Sequence, residues 1–199
     1  MYKLILTAIL ALFLSACSVT HPLITEYTIN TKINNTNLDS GVCSDKSLKV
    51  SQAFSTNDLM SLKMNYIQGS YKQFFYSESQ WAESPNRAVT FEMIKLLRET
   101  KLFKSVQTNK SRSKTDFILE TNIEDFMQHF TSDSAESYAN IVISLTLLDS
   151  INNTILATQT FRSKIKANTL DAHGGVVALN NALEDILVQM RDWLGEVCK

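Results

Sequence analysis

The residues best placed to do chemistry stand near the start of the chain, where Leu14-Ser15-Ala16-Cys17 closes an apolar run from Leu4 to Leu14 preceded by Lys3. The run falls within the roughly 7–15 residues of a secretory h-region and below the ~18 needed to cross a bilayer. Small residues leading into a cysteine form the pattern of a bacterial lipoprotein signal, in which the thiol is acylated and the chain is cut before it. The sequence therefore predicts a signal peptide over residues 1–16 and lipid on Cys17; the alternative is an ordinary signal peptide that leaves Cys17 as a free thiol. Acyl chains contribute about 0.8 kcal/mol per buried methylene, so two or three chains hold firmly where one is marginal. Ser18 is not the aspartate that retains lipoproteins at the inner membrane of well-studied Gram-negative bacteria. By that rule the expected location is the cell envelope, anchored to the outer membrane on its periplasmic side.

The two other cysteines, Cys43 and Cys198, lie at opposite ends of the remaining chain. In an oxidising compartment an even pair is a candidate disulfide. Both outcomes stay open, because spacing alone does not bring two Cα atoms within bridging distance. His21, His129 and His173 are scattered, without CxxC or HxxxH spacing, so neither a metal site nor a cofactor is expected. Glu120, Glu124 and Asp125 could supply paired carboxylates, but on a strand such residues more often face water. The sequence carries no GxSxG elbow, P-loop, GxGxxG or HExxH. No catalytic residue is assigned, and an enzyme is not expected.

Charge and length restrict the reading further. Removal of residues 1–16 takes Lys3 away and leaves 18 Lys and Arg against 20 Asp and Glu, a balance unsuited to nucleic acid. The mature length suits one core and one domain. Residues 17–47, rich in Ser, Thr and Asn, read as a lipid-anchored tether that can end in an edge strand at Tyr27-Thr28-Ile29. Residues 48–199 read as the single folded domain.

Within that domain, Leu48, Val50, Gln52 and Phe54 are expected on one face of a strand, and Lys63 to Gln68 with Tyr71 to Tyr76 form a hairpin around Gln68-Gly69-Ser70. Ser84-Pro85 opens a helix, serine at the N-cap and proline at the first helical position, with Val89, Met93, Leu96 and Leu97 as its apolar stripe. A short strand over Phe103 to Gln107 leads to a turn carrying Lys110, Arg112 and Lys114, read as a solvated loop. Asp116 to Phe130 is a strand long enough to bend. Tyr138 to Ala167 is an antiparallel hairpin in which Ala139, Ile141, Ile143, Leu145 and Leu147, then Ile155, Ala157, Phe161 and Ile165, alternate with polar residues. Leu170 to Leu194 is a long amphipathic helix, weakened near its start by Gly174-Gly175. Two striped helices and a sheet with one apolar face predict a two-layer α+β domain: a mainly antiparallel sheet with both helices on one side.

The aromatic residues Tyr71, Phe74, Phe75, Tyr76 and Trp81 divide between core and a candidate partner-binding patch, for which Tyr71, Tyr76 and Trp81 are singled out. Asn65-Tyr66-Ile67, Tyr71, Tyr76, Trp81-Ala82-Glu83-Ser84-Pro85 and Leu102-Phe103-Lys104-Ser105-Val106 together resemble the ABC-type transport auxiliary lipoproteins, the PqiC-like family. Ala178 to Leu183 through Trp193-Leu194 is similar to that family's closing helix. The resemblance spans roughly Glu26 to Leu194; the Asn-rich stretch before Leu48 and the Cys43/Cys198 pair depart from it. It implies a non-enzymatic auxiliary subunit of an MCE-type lipid transport system. Such a subunit docks the periplasmic MCE assembly at the outer membrane, with an MCE-domain protein and permease/ABC components as partners, and can form homo-oligomers. A structural or assembly lipoprotein unrelated to lipid traffic is the alternative, and an enzyme with an unrecognised site is a third class.

Overall fold

The computed structural model describes residues 2, 22–32 and 42–198; Cys17 and most of the signal segment lie outside them. In chain order the elements are β1 (Thr25–Tyr27), a 3-10 turn (Val42–Asp45), β2 (Ser47–Val50), β3 (Phe54–Ser55), a second 3-10 turn (Asn57–Met60), β4 (Lys63–Gln68), β5 (Lys72–Trp81), α1 (Pro85–Glu99), β6 (Ser105–Thr108), β7 (Phe117–Phe130), β8 (Ser137–Asp149), β9 (Thr154–Lys166) and α2 (Ala172–Val197).

The long strand β7 is the spine of the sheet. β8 runs antiparallel along its whole length, from Phe117 opposite Asp149 to Phe130 opposite Ser137, and β9 pairs antiparallel with β8. The other edge of β7 is shared by three short strands that climb it in parallel: β2 at 117–119, β3 at 122–123 and β4 at 128–130. β6 lies beyond β2; β5 lies antiparallel beyond β4, and β1 pairs in parallel with the last three residues of β5. The longest ladders are thus antiparallel and the short edge pairings parallel. A register shift between Ile123 and Asp125 supplies the bend in β7.

Both helices cover the same face, because only there does each strand turn its apolar set. Val89, Met93, Leu96 and Leu97 of α1 and Leu179, Leu183, Ile186, Leu187, Met190 and Leu194 of α2 join one core with Leu119, Ile123 and Phe126 of β7 and Ile141, Ile143, Leu145 and Leu147 of β8. Full burial of such side chains stabilises by about 1.5–3 kcal/mol each. Among the described residues no helix is long and apolar enough to cross a membrane.

Several local expectations change. Leu48 and Val50 point inward, but Gln52 and Phe54 do not: Ser51 donates its N–H to Leu119 O at 2.9 Å and Ala53 to Thr90 Oγ1 at 2.9 Å. The alternation restarts out of phase, burying Ala53 and Ser55 and leaving Phe54 69% exposed. Ile155 is also exposed, because a register shift at Leu147/Leu148 sets it opposite Leu148. Ser84 occupies the N-cap of α1, yet its hydroxyl donates to Asn86 Oδ1 at 2.9 Å; its carbonyl accepts the N–H groups of Arg87 and Ala88. Gly174 and Gly175 of α2 are close-approach positions: a Cβ on Gly174 would stand 2.3 Å from Thr169 O, and one on Gly175 2.0 Å from Gln128 Oε1. Asp171 caps this helix by accepting the Gly174 N–H at 2.8 Å.

Residues 25–32, placed by the sequence in the tether, are packed on the body. After β1 the chain crosses both helices as a strap. Asn30 N–H donates to Asn180 Oδ1 at 2.7 Å, Thr31 donates through its N–H and hydroxyl to Glu92 Oε2, and Lys32 N–H donates to Glu184. Cys43 and Cys198 form a disulfide with Cα atoms 5.3 Å apart, joining the turn before β2 to the end of α2 across 155 residues of sequence.

Candidate functional site

The sheet has a second face that neither helix covers. Alternation along β7, β8 and β9 sends Glu120, Asn122 and Glu124, then Asn140, Ser144 and Thr146, then Thr158, Thr160, Arg162 and Lys164 to that side. The acidic side chains sit on β7 and the basic ones on β9, with neutral hydroxyls and amides on β8 between them. Ser144 Oγ bonds Glu124 Oε1 and lies 2.7 Å from Thr160 Oγ1, while Thr146 and Thr158 meet across the next pair at 3.2 Å. A shallow depression of about 350 Å³ opens between Gln52, Phe54, Glu120, Asn122 and Thr146.

The bulge in β7 decides which side chains of its last third join this face. The register shift beside Glu124 turns Asp125 and His129 to the outer face, and Asp125 Oδ2 lies 2.9 Å from His129 Nε2 while accepting the Asn140 Nδ2–H at 2.8 Å. The His129 ring stacks on Tyr138 at 5.4 Å and 11°, and Lys164 Nζ sits 3.7 Å from the Tyr138 ring centroid. Asp125 Oδ1 is buried without a hydrogen-bond partner among the described groups, an arrangement that costs about 1–3 kcal/mol or more. This column ties three strands into a fixed polar surface. The sequence reading missed it, because i, i+4 spacing sets two strand residues on one face without saying which, and here the bulge beside Glu124 decides it. Among the described residues no three His, Cys, Asp or Glu gather to hold a metal ion.

The three singled-out aromatics are not brought together. Trp81 is 3% exposed and packs edge-on against Phe126 at 6.1 Å, so it belongs to the core and offers no surface to a partner. Tyr76 is half-buried beneath the start of α2, donating its hydroxyl to Gln128 Oε1 at 2.8 Å; burial first, then the neighbouring Tyr66 and Asp171, push its pKa up. Its ring lies 4.8 Å from that of Tyr66, which also contacts Phe74 and Phe130. Only Tyr71, 98% exposed at the tip of the β4–β5 hairpin, is free on the surface.

The fold is an open α+β sheet with one helical layer and a polar outer face. The model of the ABC-type transport auxiliary lipoprotein component family matches residues 47–191. The chain therefore belongs to that family of auxiliary transport lipoproteins. Among solved structures, it is similar to protein XCC0632 from Xanthomonas campestris at 16% identity, with a TM-score of 0.77 over 87% of this chain and 96% of that one. It is also similar to the PelC dodecamer from Paraburkholderia phytofirmans at 10% identity, with a TM-score of 0.51 over 79% and 94% of the two chains. At these identities the likeness is one of fold. No curated protein sequence matches the chain.

Proposed function

We propose that this protein is a lipoprotein acylated at Cys17, anchored to the inner face of the outer membrane, where it docks the periplasmic MCE assembly of a lipid transport system without catalysing a reaction itself. The observation that carries the reading is the helix-free sheet face. Its acidic strand and basic strand are held in register by β8, giving a partner a fixed charge pattern to recognise. Complementary charge sets orientation and encounter rate more than raw affinity. Membrane confinement raises the local concentration of both partners. Self-association belongs to the proposal as well: PelC, which shares the fold, is a dodecamer.

The test is affinity capture of the native lipoprotein from membranes followed by mass spectrometry, repeated with Cys17→Ala and with the double charge reversal Glu124→Lys, Lys164→Glu. The expected result is an MCE-domain protein with its permease components, diminished by either change. Recovery of outer-membrane β-barrel proteins alone would reject the transport role in favour of an assembly role.

A further inference from the structure

Exposed apolar residues gather at both ends of the sheet, Ile151, Ile155 and Leu156 about the β8–β9 turn and an aromatic set about the β4–β5 hairpin; only the second set is aromatic. Phe74 and Phe75 alternate on β5 and so stand on opposite faces, yet they are 42% and 53% exposed, and Tyr71 at the hairpin tip is almost wholly exposed. A strand that served only the core would expose one face, and that face would be polar. Here both faces end in aromatic surface. Leu23, 94% exposed, and Ile24 lie just ahead of β1, on the side of Thr25 that faces the hairpin. Lys63 lays its ammonium 4.7 Å from the Phe75 ring centroid, and Lys72 stands exposed at the start of β5.

The position of Cys17 gives this end its meaning. β1 runs parallel to β5 with Thr25 opposite Ser79. Moving back from Thr25 is therefore moving toward the hairpin tip; Cys17 lies eight residues before Thr25, and Tyr71 eight residues before Ser79. Eight residues span at most about 28 Å, and the same length of β5 rises about 26 Å. The chain from Thr25 back to Cys17 is thus long enough to bring a lipid on Cys17 to the level of Tyr71. The β8–β9 turn sits at the opposite end of β7, about 45 Å from that level along a 14-residue strand. Amphipathic aromatic rings with lysines whose stems lie on apolar surface are the side chains that settle at a bilayer's headgroup level.

We infer that the β4–β5 hairpin rests on the phospholipid surface, with Tyr71, Phe74 and Phe75 entering the headgroup layer and the polar sheet face rising from it toward the periplasm. The inference rests on the Cys17 anchor of the proposed function, and it reassigns Tyr71 from protein docking to lipid contact.

Hydrogen exchange tests it, because among the described residues β5 is paired on its outer edge only at residues 79–81, leaving amides over 72–78 open on that side. The native protein is reconstituted in phosphatidylethanolamine and phosphatidylglycerol vesicles and compared with the mature Cys17→Ser chain in buffer. Slowed exchange is expected in residues 71–78 on vesicles, with residues 150–156 unchanged. Tyr71→Ser with Phe75→Ser should abolish the slowing while exchange in β7 and β8 stays as in the parent. Equal exchange of 71–78 in an acylated, vesicle-bound chain and in solution overturns the orientation alone. A native N-terminal peptide lacking acyl mass overturns the anchor and the orientation with it.

Discussion

Gln128 of β7 sits directly against the backbone of Gly175 in the first turn of α2, with its Oε1 2.0 Å from where a β-carbon would stand. The same amide accepts from Tyr76 and donates to Ser137 Oγ at 2.9 Å, so it is held at both ends and buried.

Alanine in place of glycine inside a helix ordinarily gains about 1 kcal/mol. Here the contact reverses the sign. Gly175→Ala should destabilise by about 1–3 kcal/mol, and Gly174→Ala by more, because its obstacle is the Thr169 carbonyl and not a side-chain end. Urea midpoints measure both, and Gln128→Ala combined with Gly175→Ala should cost less than the sum of the single changes.

Trp81→Ala and Tyr71→Ala should part company in the same measurement. Removing a buried tryptophan costs about 3–5 kcal/mol, whereas an exposed tip residue changes stability by about 0.5 kcal/mol or less. Similar losses from the two changes would mean that Tyr71 is packed.

Reducing Cys43–Cys198 frees a loop of 155 residues. In the chain-entropy model the bridge stabilises by up to about 5 kcal/mol. Melting with and without reductant, beside a Cys43→Ser, Cys198→Ser double variant, should show matching decreases in the two reduced forms.

Glu92→Ala should release the strap. Glu92 is buried and accepts both the N–H and the hydroxyl of Thr31, with Lys95 Nζ 3.4 Å away. Loss of hydrogen bonds to a charged group costs about 1.5–3 kcal/mol, and limited proteolysis should cut near residues 28–32 sooner than in the parent.

Acid should weaken the β2–β7 join and the start of α2 together. The Ser47 hydroxyl and N–H hold the Asp116 carboxyl below its ordinary range, and the Gly174 N–H, then the Thr169 hydroxyl, do the same for Asp171. A depressed folded-state pKa contributes stability that is present above the unfolded value of about 3.9 and lost as pH falls through the folded one. Asp171→Ala should cost about 1 kcal/mol at neutral pH, with a difference that narrows below about pH 4 in thermal melts.

Much of this protein could be read from residue order, because the decisive patterns are local. The alternation from Ala139 to Leu147 fixed a strand and its inner face, and the i, i+3, i+4 spacing from Val176 to Leu194 fixed a helix and its stripe. The expectation of a lipid on Cys17 rests on the same kind of pattern, contained within a dozen consecutive residues. What required the tertiary structure depends on which distant residues meet. Two glycines that weaken a helix in isolation are required by Thr169 and Gln128; Trp81 is core because Phe126 lies beneath it; Asp125 and His129 look outward because one bulge shifts the pleat. The strap from Asn30 to Lys32 is the same case, since no local pattern announces a backbone segment whose partners, Glu92, Asn180 and Glu184, lie 61 to 152 residues away. Periodicity reports which way a side chain faces; only the packed fold decides what it faces.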